Sequence, residues 1–214
     1  MKCYCMQNEK GFYYVVENAP EDKHKLIEEA FYKKQGDLFI KRYPANIPDK
    51  ELVTANYERL APQMFSRNRV NWENALNTFC ILAKRNLINF IIKGSVVACI
   101  NGTNIIPTDI DVSVDVSNFD KAKSVFREYT IEPLMYYDDI LLNYYWGRLC
   151  IDDVWVDISA FPKNGHEIKN IDVKCWNGHI IYAQSLKECL GIYKTMGKDK
   201  YIAEIESCLK QGET

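Results

Sequence analysis

The 214-residue chain is 47% hydrophobic and 26% charged, ordinary globular usage that excludes a disordered polymer. Twenty-seven Lys and Arg against 29 Asp and Glu leave a net charge of −2, so there is no bulk positive field to hold nucleic acid non-specifically. The apolar runs are too short for a membrane span. Met1-Lys2-Cys3-Tyr4-Cys5 lacks the apolar stretch of a secretory leader, and eight cysteines without a C-x-x-C pair predict free thiols in a reducing cytoplasm.

Residues 1–68 read as an N-terminal strand–helix–strand–helix extension. Cys3 and Cys5 are incidental to a first strand. Gly11 to Glu17 is aromatic and β-branched, hence a strand. Pro20-Glu21-Asp22 opens a helix over Lys23 to Lys34, with Leu26, Ile27, Ala30 and Phe31 on one face. Gly36-Asp37 turns the chain into a strand, Leu38 to Tyr43. Pro44 and Pro48 bracket a loop, and Asp49 caps a helix to about Phe65. No motif in this region assigns it a role.

Residues 69–163 form the predicted core. Asn71 caps an amphipathic helix to Asn86 with Leu76, Phe79, Cys80 and Ala83 on one face. Phe90 to Lys93 is a buried strand, broken by Gly94, and a short helix follows to Ile100. Asp109 to Asp115 is a strand, and Ser117 to Tyr129 a helix capped by Ser117 or Asn118. Leu141 to Ile151 and Val154 to Phe161 are strands joined by a tight Asp152-Asp153 turn. Residues 164–214 supply a hairpin around Asn177-Gly178 and two helices, Ser185 to Met196 and Lys200 to Gln211, packing on the core.

The chemistry concentrates in Lys93-Gly94-Ser95 and Thr108-Asp109-Ile110-Asp111-Val112. Residues i and i+2 of a strand share a face, so Asp109 and Asp111 project together with β-carbons roughly 7 Å apart. Such carboxylates repel unless a cation lies between them, and oxygen donors of this kind suit a hard divalent ion such as Mg²⁺. Gly94 lets a phosphate approach the backbone, and Ser95 adds a donor at a helix start. Asp157 is the candidate third carboxylate. It shares a strand face with Trp155 and Ser159, while Val154, Val156 and Ile158 take the other. Tyr136, Tyr137, Tyr144, Tyr145 and Trp146 form either an acceptor wall or ordinary packing.

Lys93-Gly94-Ser95, Asp109-Ile110-Asp111 and Asp157, in this order, resemble the nucleotidyltransferase superfamily that shares its fold with DNA polymerase β. Ala98, Gly102 and Thr108-Asp109-Ile110-Asp111 look like its small bacterial branch, which includes antibiotic nucleotidyltransferases and AbiEii-type toxins. Ser185 to Glu188, Tyr193-Lys194 and Gly197 to Lys200 are similar to that branch's tail. The likeness runs over about 71–211. It implies an α+β fold built on a mixed β-sheet with flanking helices. It also implies transfer of a nucleoside monophosphate from an NTP to a hydroxyl acceptor, with release of pyrophosphate. Asp109, Asp111 and Asp157 would hold two Mg²⁺ ions, with Mn²⁺ as a substitute. Gly94, Ser95, Lys194 and Lys198 would bind the triphosphate. An antibiotic-like small molecule, tRNA or a protein hydroxyl are the acceptors in view. Glu132, Asp138 and Asp139 are equal candidates for the base. The alternatives are a non-catalytic nucleotide-binding module and an interaction protein whose paired aspartates are incidental.

Overall fold

Two antiparallel runs of alternating residues open the chain, and each finds its partner locally. In the computed structural model, which describes residues 1–138, 143–160 and 170–211 (only the backbone at 138 and 143), β1 (Lys2–Asn8) and β2 (Gly11–Glu17) form a hairpin. Helix α1 (His24–Glu29) is followed by β3 (Lys33–Gln35) and β4 (Leu38–Tyr43). The four strands make an antiparallel sheet in the order β1-β2-β4-β3. Helix α1 is shorter than its apolar spacing predicts. Phe31 takes a left-handed φ of 69°, which stops the helix, and Lys33 to Gln35 pair with β4 instead.

Helix α2 (Lys50–Ser66) follows Asp49, whose side chain makes no capping bond and instead pairs with Lys123 at 2.8 Å. Then come α3 (Trp72–Arg85), β5 (Phe90–Lys93), α4 (Gly94–Ile100), β6 (Ile110–Val114) and α5 (Val116–Val125). Strands β7 (Thr130–Asp138), β8 (Asn143–Ile151) and β9 (Val154–Ala160) form a meander. The hairpin β10 (Ile171–Trp176) and β11 (His179–Gln184) precedes α6 (Leu186–Thr195) and α7 (Asp199–Gln211). Strand β11 pairs in parallel with β5, so the hairpin extends the core sheet to seven strands in the order β10-β11-β5-β6-β9-β8-β7. Both parallel and antiparallel pairs occur, and the fold is the expected α+β type on a mixed sheet.

The alternation of β6 and β9 sorts their residues as the sequence predicts. Ile110, Val112, Val154, Val156 and Ile158 enter one core with α3 and the C-terminal helices. Trp155 enters a second core, made with α2 and the N-terminal sheet. That core joins Tyr14, Phe39, Tyr57 and Phe65 to Ile131 and Cys150 of β7 and β8. Helix α2 therefore lies between the two sheets, and the N-terminal unit covers one face of the large sheet. All eight cysteines are free thiols, and burial pushes Cys80 and Cys150 up to about 12. No helix of the described residues is long and apolar enough to cross a membrane.

Candidate active site

On the face turned to the N-terminal unit, register places five charged residues in one row across five strands. Lys93 of β5 is opposite Asp111 of β6, Asp111 opposite Asp157 of β9, Asp157 opposite Arg148 of β8, and Arg148 opposite Glu132 of β7. Arg148 forks Asp157 with Nε to Oδ1 at 2.6 Å and Nη2 to Oδ2 at 2.9 Å, the strong bidentate geometry. Its Nη1 reaches Glu132 at 3.5 Å. Glu132 also accepts from Lys41 Nζ at 2.6 Å and from the Tyr43 hydroxyl, both on β4. The row thus runs from the carboxylates into the N-terminal sheet.

Arg148 and Glu132 are almost wholly buried. Burial alone would push the Glu132 carboxyl up, but Lys41 and Arg148 outweigh it and hold it low. Such a carboxylate is a structural anion with its acceptors occupied, not a base facing substrate. Of the other base candidates, Asp139 and the side chain of Asp138 lie outside the described residues. Lys93 donates to Ser159 Oγ at 2.8 Å, and Ser159 to the Val112 carbonyl at 3.1 Å. Burial lowers the Lys93 ammonium, opposed by Asp111 and Asp157.

Asp109 stands just before β6, one residue short of the predicted strand. Burial, then the charges of Asp111 and Asp157, push its carboxyl up to about 7. Burial and Asp157 likewise raise Asp111, against Lys93 and Arg148. Arg67, which follows α2, anchors the approach to this pair by donating to the Thr108 carbonyl at 2.8 Å. The two carboxylates therefore oppose each other's ionisation, and the protein's own cations do not cancel it.

Gly94 approaches the same point from β5. Its φ is +67°, and a Cβ there would lie 2.7 Å from Asp111 Oδ2. Only glycine satisfies both conditions without strain. The next residue, Ser95, has a buried hydroxyl with no hydrogen-bond partner. Lys194 is turned to Glu206 at 2.7 Å on the α6–α7 hairpin, and Lys198 is exposed in the turn. Tyr193, one of the buried side chains of that hairpin, senses the carboxylates: its hydroxyl is raised by burial and by nearby groups that include Cys189, Asp111 and Asp109. The aromatic set divides. Tyr145 packs on Phe119 and Tyr136 in the rear core, whereas Tyr137, Tyr144 and Trp146 line a cleft of about 600 Å³ whose floor holds Asp111 and Asp157.

Among the described residues no three His, Cys, Asp or Glu side chains converge as a metal-binding group. Mg²⁺ does not need one, since it is commonly held by one or two carboxylates plus substrate phosphates and water. Asp109 and Asp111 fit that pattern through their all-oxygen donors and mutual repulsion. Asp157 has two of its roughly four lone-pair positions committed to Arg148.

This repulsion has a pH signature. Between its ordinary value of 3.8 and about 7, Asp109 keeps its proton in the folded chain and loses it in the unfolded one. The folded state then binds more protons, so stability falls as pH rises through that window. Urea midpoints of the cation-free chain are expected to drop between about pH 4 and pH 7, less steeply in Asp109→Asn. Millimolar Mg²⁺ at pH 8 recovers the loss. Parallel profiles for the two proteins would contradict the assignment.

No protein-family profile and no curated protein matches the chain. Solved structures do. A nucleotidyltransferase candidate from Thermotoga maritima superposes with a TM-score of 0.52 at 18% identity, over 65% of this chain and 93% of that one. A lincosamide antibiotic adenylyltransferase with lincomycin bound gives 0.49 at 13% identity, over 66% and 99%. The ANT(2″)-Ia enzyme in complex with adenylyl-2″-tobramycin gives 0.44 at 12% identity, over 66% and 90%. The Thermotoga likeness agrees with the resemblance carried by Lys93-Gly94-Ser95 and Asp109-Ile110-Asp111, and the chain has the nucleotidyltransferase fold.

Proposed function

We propose that the chain is a metal-dependent nucleotidyltransferase that moves a nucleoside monophosphate from an NTP to a hydroxyl acceptor. The observation that carries this reading is the convergence of Asp109 and Asp111 with Gly94, whose missing Cβ makes room for Asp111, and with the unpartnered Ser95 hydroxyl. Asp109 and Asp111 hold Mg²⁺, or Mn²⁺ in its place, and Asp157 completes the carboxylate set from a position fixed by Arg148. A divalent cation bound there neutralises the carboxylates and polarises the phosphates. Ser95 donates to a phosphate oxygen, and the Gly94 backbone admits the triphosphate. Phosphate contacts by Lys194 and Lys198 rest on the resemblance, and on their hairpin's place beside the carboxylates. The acceptor oxygen bonds to the α-phosphorus, the α–β anhydride bond breaks, pyrophosphate leaves with the bonding pair, and the hydroxyl proton is released. Free thiols suit a reducing cytoplasm.

Each NTP, labelled on the α-phosphate, can be incubated with Mg²⁺, protein and cell extract separated into RNA, protein and small-molecule pools. Label is expected in the small-molecule pool. Absence of label from every pool with every NTP would count against the function. Gly94→Ala should also be informative. It would add about 1–2 kcal/mol of left-handed strain and displace Asp111, lowering turnover about 100-fold in a single-turnover assay. Turnover near wild type would show that the close approach is dispensable.

A further inference from the structure

We infer that the cleft over the charged row is the acceptor subsite, that the N-terminal unit builds one wall of it, and that it takes a small anionic ring compound bearing a hydroxyl. The inference rests on the proposed transferase reading for the word acceptor, but not for the binding. The nucleotide side of the carboxylates is the Gly94-Ser95 side, next to Tyr193. The cleft between β4 and the β7–β8 pair reaches Lys93, Asp111 and Asp157 but is not lined by Gly94, Ser95 or Tyr193, and it has the volume of a small-molecule site. Asp111 and Asp157 form its floor, so a hydroxyl held there lies beside the reacting centre.

Its walls specify the occupant. Trp146 and Tyr137 face it from the core sheet, and Phe31 from the N-terminal unit. Phe31 is 70% exposed at a left-handed φ of 69°. A large ring kept in solvent at a backbone position that disfavours side chains is costly on packing grounds alone. Its place on the cleft wall accounts for it. Lys41 Nζ lies 5.5 Å from the Phe31 ring centroid and 5.1 Å from that of Trp146, so a flat partner meets these rings beside a cation. Arg42 lines the mouth, donates to the Lys10 carbonyl, and has no carboxylate partner among the described residues. Lys41, also in the wall, is matched by Glu132. A divalent ion at Asp109 and Asp111 would cancel the negative floor, leaving Arg42 to select an anion and to repel a polycation. A slightly acidic chain gives a polyanion no bulk positive field to follow.

The probe is 4-(hydroxymethyl)benzoate, titrated with Mg²⁺ and without nucleotide, and followed by NMR of the labelled full-length protein. Benzyl alcohol is run alongside, and tobramycin, ATP and a short single-stranded RNA are added as competitors in separate titrations. The benzoate is expected to bind with a dissociation constant on the order of millimolar. Phe31→Ala and Trp146→Leu should each weaken it about 5- to 10-fold. Arg42→Ala should remove its advantage over benzyl alcohol. Phe31 is exposed, so its variant keeps the fold even if Trp146→Leu does not. No binding, binding unchanged in Phe31→Ala, or displacement by tobramycin would overturn the inference. Displacement by RNA would give the cleft to a nucleic acid, and displacement by ATP to the nucleotide base; either result overturns it too. Because the readout is binding, it stands or falls separately from catalysis. Transfer with an unaltered acceptor KM in Phe31→Ala would keep the enzyme and remove this subsite.

Discussion

Asp111→Asn is expected to lower nucleotidyl transfer at least about 1,000-fold while leaving the fold in place. The side chain sits at the centre of the row, opposite both Lys93 and Asp157, and its Oδ2 fills the space left by Gly94. Asparagine keeps this shape but removes the negative charge that pairs with Asp109 to hold a cation. The neutral amide also relieves the repulsion that burial and Asp157 impose on Asp111, so the variant should be at least as stable as wild type without cation. Lost activity together with retained or improved stability separates a functional carboxylate from a structural one. Pre-steady-state turnover and urea denaturation on the same preparation check both halves. Asp109→Asn should behave similarly, because its carboxyl is raised by the same field.

Arg148→Met should do the reverse and damage the fold first. The residue is 2% exposed, and its guanidinium forks Asp157, reaches Glu132 and lies 4.8 Å from the Trp155 ring centroid. Methionine fills part of the volume but strips Asp157 of its bidentate partner and leaves Glu132 to Lys41 and Tyr43. Removing one member of a buried ion pair costs about 3–5 kcal/mol, or roughly 8–15 °C in Tm for a chain of this size. Adding Asp157→Asn to Arg148→Met should recover part of that loss, since the uncompensated charge then disappears. Thermal and urea unfolding of the two single variants and the double variant test this. A loss under about 1 kcal/mol for Arg148→Met would mean that the row behaves like surface ion pairs.

The parts of the fold legible in the sequence are those whose cause is local. Asn71 accepts from the Asn74 amide, as its cap position predicts, and Ser185, expected as the first helical residue, caps α6 by accepting from the Glu188 amide. Asp152 and Asp153 have φ values of 48° and 61°, and Asn177 and Gly178 of 48° and 77°, which is the tight hairpin geometry expected of those pairs. The faces of β6 and β9 follow from period-two alternation, and that alternation brought Asp111 and Asp157 together. Strand β7 was not legible. Its register shifts between Thr130 and Met135, which breaks the alternation. Ile131 enters one core and Leu134 the other, so it is apolar on both faces. Helix α1 was overextended because the spacing of Leu26, Ile27, Ala30 and Phe31 is helical to a point where backbone geometry turns.

In the site, the carboxylates were visible as a short motif and their supports were not. Lys41 and Glu132 are 91 residues apart, and nothing near either announces the other. Glu132 is open to reading as a base until β7 places it between Lys41 and Arg148. One signal was available: Arg148 is a single charge in an otherwise apolar strand, and a buried arginine needs carboxylate partners. Lys194 illustrates the opposite difficulty. Its motif placement pointed to a phosphate, but one helix turn of the neighbouring α7 supplies Glu206 within 2.7 Å. The N-terminal unit carries no motif because it meets the cleft and the row through scattered residues, Phe31 and Lys41 to Pro44, which the fold brings together and no local pattern announces.

The most direct test of the account follows two labels through one reaction. Wild-type protein, Mg²⁺ and the small-molecule pool are incubated in parallel with α-labelled and γ-labelled NTP, and with Asp109→Asn and Asp111→Asn as controls. α-Label is expected to enter the acceptor, γ-label to appear in pyrophosphate, and both events to disappear in each variant. Transfer of the γ-label, or α-label transfer that survives both substitutions, would contradict it.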